Sequence, residues 1–205
     1  MIVKLRSRIG ESVDVDRLLT LAQKYEVLND SALFLANNLD PVLHLQSLVS
    51  TGGVISVDEV GHVPYEVNSI SLPSDYLKFY DVYDSTGATT RYNSSHMVDW
   101  KMASIYRNPF RKAPADILTC AFDGSSRLFI FNETIPVSVT WRYFHLPVTI
   151  TDSVETDISD RYHDLLLDYA ESLAWVKIDD VARANSALER SMAKIMRLNP
   201  QTEKK

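Results

Sequence analysis

The chain of 205 residues has one cysteine, Cys120, six glycines and eight prolines. A lone cysteine excludes an internal disulfide framework and a multi-cysteine zinc site. So little Gly and Pro excludes collagen-like and low-complexity chains. No apolar run approaches the ~20 residues that a membrane helix needs. None follows Lys4, Arg6 and Arg8 either, so Met1–Glu11 does not read as a secretory signal. A cationic excess is also missing. Lys and Arg total 21 against 27 Asp and Glu, a net charge of −6, whereas a general nucleic-acid binder would be basic. What remains is 45% hydrophobic and 23% charged, the make-up of a globular protein of one or two domains.

Convergent chemistry is scarce as well. His44, His62, His96, His145 and His163 are scattered, with no ligand spacing such as His-x-x-x-His. In Tyr162-His163-Asp164 the base and its would-be orienter are helix neighbours that point apart, which suggests a solvated helical histidine. Ser125 and Ser126 after Gly124 make no nucleophile elbow, and Thr51-Gly52-Gly53 is not followed by the Gly-Lys-Ser/Thr of a phosphate loop. Glu66, Asp75 and Asp81 are near in sequence, but paired-carboxylate chemistry needs a defined separation in a cleft. Cys120 lies between apolar neighbours and reads as a core thiol. No enzyme activity, metal or cofactor is expected.

What is present is helix, then sheet, then helix. Val13, Leu18, Leu19, Leu21 and Ala22 fit a short amphipathic helix that Asp14 or Asp16 could cap. A second pattern runs from Ser31 to Leu48 with Asp30 or Ser31 as its cap. Pro41 either interrupts it or, with Asp40 as cap, starts a new helix. Gly52-Gly53 reads as the end of this helical region. Short strands follow at 54–57, 66–71, 77–83, 89–92, 117–122, 127–131 and 137–144. Turns at Asp84–Gly87 and Asp123–Ser126 separate some of them. An excursion over 94–112 includes a short helix, His96–Ser104, capped by Ser94 or Ser95. The strongest pattern is terminal: Ile158, Tyr162, Leu165, Leu166, Tyr169, Leu173 and Val176 at helical spacing, with Asp157 or Ser159 as cap. A further helix covers about 180–198, with Val181, Ala184, Leu188, Met192 and Ile195 on one side, and the join is either a kink or continuous helix. Asn199-Pro200 stops it. The expected class is α+β. An N-terminal helical region covers residues 1–52, and an antiparallel β domain covers 53–150. Helices over 151–198 complete a bundle with the N-terminal region, and a polar tail spans 199–205.

Two features suit contact surfaces. Residues 151–180 hold nine acidic against two basic residues, and 181–205 hold six basic against two acidic. These segments read as solvated faces or as complementary contacts within or between subunits. The ten Tyr, seven Phe and three Trp concentrate in the sheet and its excursion, and Trp100, Tyr106, Phe110, Trp141, Tyr143 and Phe144 exceed what one small sheet must bury on a single face. The basic, aromatic stretch with Tyr106, Arg107, Phe110, Arg111 and Lys112 reads as an exposed loop. Phe144 faces away from the Val137–Tyr143 row and is the aromatic most expected to meet a partner.

The order of these pieces resembles the head-to-tail connector (adaptor) proteins of tailed bacteriophages. Ile70-Ser71-Leu72-Pro73-Ser74-Asp75-Tyr76-Leu77 resembles a Leu-Pro-x-Asp-aromatic-aliphatic element leading into a strand and a glycine turn at Gly87. Leu128–Glu133 followed by Val137–Pro147 is similar to the family's late hairpin. Ile158–Ala170 is similar to its closing helix. The resemblance covers most of residues 13–198. It implies a ring of about a dozen copies beneath the portal protein, extending the DNA channel and offering a platform to a nozzle or tube protein. The ring would be acidic, about −70 in all, and would pass double-stranded DNA without binding it specifically. The resemblance also implies a C-terminal portal-docking segment: Asn199, Pro200, Gln201, Thr202, Glu203, Lys204 and Lys205, led by Arg190, Lys194 and Arg197. The chain would then sit in the virion neck, after assembly in the host cytoplasm, and touch no membrane. Two alternatives stand beside it. Another virion structural protein, such as a tail-completion or tube protein, would be richer in strand. An enzyme or ligand module would need a deep polar pocket.

Overall fold

A computed structural model of the chain describes residues 1–11, 18–57, 68–84, 95–103, 105, 118–122, 127–131 and 137–199. In chain order the elements are α1 (Ile2–Arg8), α2 (Leu21–Asn38), α3 (Pro41–His44), β1 (Val49–Val57), β2 (Asn68–Ser71), β3 (Tyr76–Asp84) and β4 (Ser95–Met97). They continue with α4 (Trp100–Ala103), β5 (Leu118–Phe122), β6 (Arg127–Phe131), β7 (Val137–His145), α5 (His163–Lys177) and α6 (Val181–Leu198). The class is α+β. The chain divides into a helical unit, Met1–Leu48 with Leu146–Lys205, and a β unit, Val49–His145.

In the helical unit, α2 differs most from expectation. It is one helix of 18 residues that runs unbroken through Asp30 and Ser31. Its start is a capping box: the Gln23 N–H donates to Thr20 Oγ1 and the Thr20 N–H donates to Gln23 Oε1, satisfying two otherwise free donors. The buried stripe holds Val27, Leu28, Ala32, Leu35 and Ala36, but also Lys24 and Ser31. Those two polar residues break the apolar period in the sequence, so Ser31 imitates a cap. Its hydroxyl instead donates back to the Val27 carbonyl. Asp14 and Asp16 lie outside the described residues. Helix α3 is new, begun by Pro41, with Asp40 Oδ1 accepting from the Val42 and Leu43 N–H groups at 2.9 and 3.1 Å.

Helix α1 lies in the expected N-terminal helical region, ahead of the first helix pattern singled out there. Leu5 and Ile9 bury its inner side, and its last residue, Arg8, reaches Asp168 on α5. Glu11, just beyond it, forms a fully buried ion pair with Lys24 and accepts the Leu18 and Leu19 N–H groups at 2.7 and 3.0 Å. Burial would raise the Glu11 pKa, but the Lys24 ammonium and the two N–H donors outweigh it and lower it. Phe34 of α2 stacks flat on Tyr169 of α5, ring centroids 3.8 Å apart.

Helices α5 and α6 are separate and antiparallel. Asp179, with φ 63°, turns the chain between them, and the Asp180 side chain caps α6 by accepting from the Arg183 N–H at 3.1 Å. A 3-10 turn, Asp160–Tyr162, precedes α5. Ser159 makes no side-chain cap there, and Asp157 instead accepts from the Val148 N–H. The inner side of α6 is Ala184, Ala187, Ser191 and Ile195, while Val181 and Leu188 are exposed. Small side chains let a short-looped hairpin close, which selects this face over the larger apolar residues. His163 is largely buried, with Nε2 3.0 Å from the Ile158 carbonyl, and is not the solvated histidine expected.

The β unit is a sandwich of two sheets. One is ordered β1-β7-β3 and is antiparallel; the other is ordered β2-β6-β5-β4, with β4 parallel to β5. Val82, Trp141 and Tyr143 from the first sheet meet Cys120, Leu128 and Ile130 from the second. Gly52 and Gly53 lie inside β1, where the register slips between Thr51 and Val54. A Cβ on Gly52 would fall 1.8 Å from Trp141 Cε2, so glycine is there for close approach to a buried ring. His96 belongs to β4 instead of a helix, and only Trp100–Ala103 is helical. The expected strand 89–92 and the turns at 85–87 and 123–126 lie outside the described residues.

Candidate interface at the end of the C-terminal helix

The helical unit gathers its polar side chains where α6 ends. Leu198 is the last helical residue, and its carbonyl has no partner within the helix. His44 supplies one, with Nε2 2.8 Å from that oxygen and Nδ1 2.6 Å from the Tyr162 hydroxyl. A carbonyl only accepts, so Nε2 carries a proton, and in the neutral ring Nδ1 accepts from the tyrosine O–H. Burial pushes the Tyr162 pKa up, with the neighbouring Arg161 opposing. The Arg161 guanidinium lies 4.4 Å over the Tyr162 ring and donates to the Leu43 carbonyl at 3.0 Å. Asn199 completes the clasp. Its Oδ1 accepts from the Asp40 N–H at 2.9 Å and its Nδ2 donates to the Asn38 carbonyl. Residues far apart in sequence thus fix the direction in which the chain leaves α6.

Higher on α6, the basic residues turn inward to the acidic α5. Asp168 is almost fully buried and bridges Arg8 and Lys194. Arg8 also lies 3.5 Å from Asp164 and 3.6 Å from Glu171. Arg190 donates to Glu171 at 2.9 Å. Burial would raise the Asp168 pKa, but the Lys194 and Arg8 hydrogen bonds and charges lower it overall. The acidic and basic segments therefore meet within one chain.

This geometry sorts the sequence candidates. Arg190 and Lys194 direct their charge to α5. Arg197 is exposed and forms no ion pair among the described residues. Asn199 belongs to the clasp, so it is part of the fold as well as the start of the tail. Pro200, Gln201, Thr202, Glu203, Lys204 and Lys205 lie outside the described residues, as do Tyr106, Arg107, Phe110, Arg111 and Lys112. Phe144 is fully buried, edge-on to Tyr80 at 5.0 Å, which corrects the expectation of a partner-facing ring: Thr140 and Phe144 on one side of β7 are buried, as are Trp141 and Tyr143 on the other. His44, Tyr162, Arg161 and Asp40 carried no sequence signal as a set, because folding alone brings them together. Of the carboxylates considered for chemistry, Glu66 lies outside the described residues, and Asp75 and Asp81 are structural partners. Asp81 holds Arg142 through two hydrogen bonds, and Asp75 accepts from the Tyr143 hydroxyl at 3.1 Å. Burial pushes the Cys120 thiol up to about 12, in keeping with a core thiol.

Beside the clasp, α2 and α5 border an open cleft of about 380 Å³ lined by Asp30, Leu33, Phe34, Asn37, Asn38, Tyr169 and Leu173. Among the described residues no helix is long and apolar enough to cross a membrane.

The SU10 adaptor protein family matches residues 8–204, so the chain belongs to that family and is a structural adaptor of the phage virion. Proteins of this class join portal and tail proteins. No curated protein matches the chain.

Proposed function

We propose that the chain works as a ring of about twelve copies beneath the portal. The ring forms the neck of the virion and extends the DNA channel. Segment 200–205, leaving the fixed exit at Asn199, docks on the portal, with Arg197 as the accompanying cation of α6. Loop 106–112 is the candidate contact to a neighbouring copy or to the nozzle or tube protein. The net charge of −6 per copy supports an acidic lumen that lets DNA phosphates pass without adhesion. Assembly takes place in the host cytoplasm.

The observation that carries this reading is the clasp. A short polar segment that orders on binding has a conformational cost, and a fixed point of departure lowers it. Val42, Leu43 and Met196 are exposed on the elements that form the exit and offer apolar contact around it. The test removes residues 200–205 and keeps Asn199, so that the clasp stays whole. The truncated chain is expected to keep its circular-dichroism spectrum and lose co-sedimentation with portal rings. Undiminished co-sedimentation would contradict the reading.

A further inference from the structure

The cleft between α2 and α5 begins where the described chain ends. Its rim residue Asn38 holds the Asn199 side chain through its carbonyl oxygen. Its far end is Asp30, an exposed carboxylate with no ion pair among the described residues. Asp30 and Asn38 are eight residues apart on one helix, about 12 Å along its axis. The six residues 200–205 span up to about 20 Å when extended, and they end in Lys204-Lys205. Between the two ends lie Phe34 and Tyr169, whose stacked rings line the cleft and offer an apolar floor for lysine stems. The negative field is present at that floor, since Asp30 adds to burial in raising the Tyr169 pKa.

We propose that this cleft is the resting berth of the chain's own C-terminal segment, with the Lys204-Lys205 ammonium groups at Asp30. Exit position, length and charge agree on this occupant. The contact need not be strong, because a segment tethered at the rim of its own site has an effective concentration in the millimolar range. Parking keeps the portal-binding segment engaged until a portal competes for it. That consequence rests on the portal-docking reading; the parking itself does not.

The test needs no portal, so its failure is separable from a failure of docking. Cys120 is buried and its thiol is poorly ionised, so a Glu203→Cys variant of the full chain takes one spin label. Relaxation is then read at the methyl groups of Leu33 and Leu173. Their signals are expected to lose about half their intensity or more, and to recover in the Asp30→Lys background and at high salt, where the ion pair is screened. Unbroadened methyls would overturn the proposal. So would equal broadening between spin-labelled and isotope-labelled chains mixed together, which would place a second copy's segment in the cleft.

Discussion

The two units are held together by different physics. The helical unit puts charge inside: Lys24 and Glu11 are fully buried as a pair, and Asp168 is clasped by Arg8 and Lys194. The β unit puts rings inside. Trp141 stacks near Tyr143 at 5.0 Å, Tyr76 meets Phe122 at 5.8 Å, and Trp100 meets Phe129 at 4.7 Å. Its notable ion pair, Asp81–Arg142, is about a third exposed on each side, so water screens it more than the buried pairs of the helical unit. A core of rings is indifferent to moderate changes of pH and salt. A core with paired charges is not, because each ion depends on its partner for its solvation. The charged unit also carries the clasp and the exit, so conditions that loosen it act on the chain's exit first.

The sharpest way to break this contrast is to remove one buried ion. Lys24→Met leaves Glu11 in the interior without its cation. It is expected to cost about 3–5 kcal/mol, read as lost hydrogen-exchange protection in α1 and α2. The double variant with Glu11→Gln should regain most of that loss, since an uncharged pair leaves no ion without its partner. On the β side, Gly52→Ala forces a methyl group into Trp141 and is expected to cost about 1–3 kcal/mol, read as a lower denaturant midpoint followed by tryptophan fluorescence. Acid gives the smallest and most selective effect. The folded pKa values of Glu11 and Asp168 lie below their ordinary values of 4.5 and 3.8. Their contribution is therefore complete above those values and is lost as pH falls below them toward the folded values. Titration from about pH 6 to about pH 2 should remove protection from the helical amides before those of the sandwich.

Much of the fold could be read from the sequence where local rules act alone. Strand β6 and the end of α6 at Asn199-Pro200 are in place, as is the new start at Asp40-Pro41. The reading failed where tertiary burial overrides local pattern. Lys24 and Ser31 on the buried stripe of α2 hid one helix as two, although Thr20-x-x-Gln23 was a visible cap. The Gly52-Gly53 pair looked like punctuation because nothing local reveals the ring of Trp141, 89 positions away. The site was half legible. Arg190 and Lys194 pair with Glu171 and Asp168 of the adjacent acidic segment, the contact within one subunit that the charge pattern offered. The clasp of His44, Tyr162 and Asn199 could not be read, because its members share no spacing and meet only through packing.

The central claim is that this chain becomes a ring on a portal through the segment that leaves the clasp. The most direct measurement is the mass of the full-length protein by light scattering, alone and with cognate portal rings. The account predicts a small species alone and a gain of about twelve copies per portal ring. A monomer or dimer that adds no mass to the portal would contradict it.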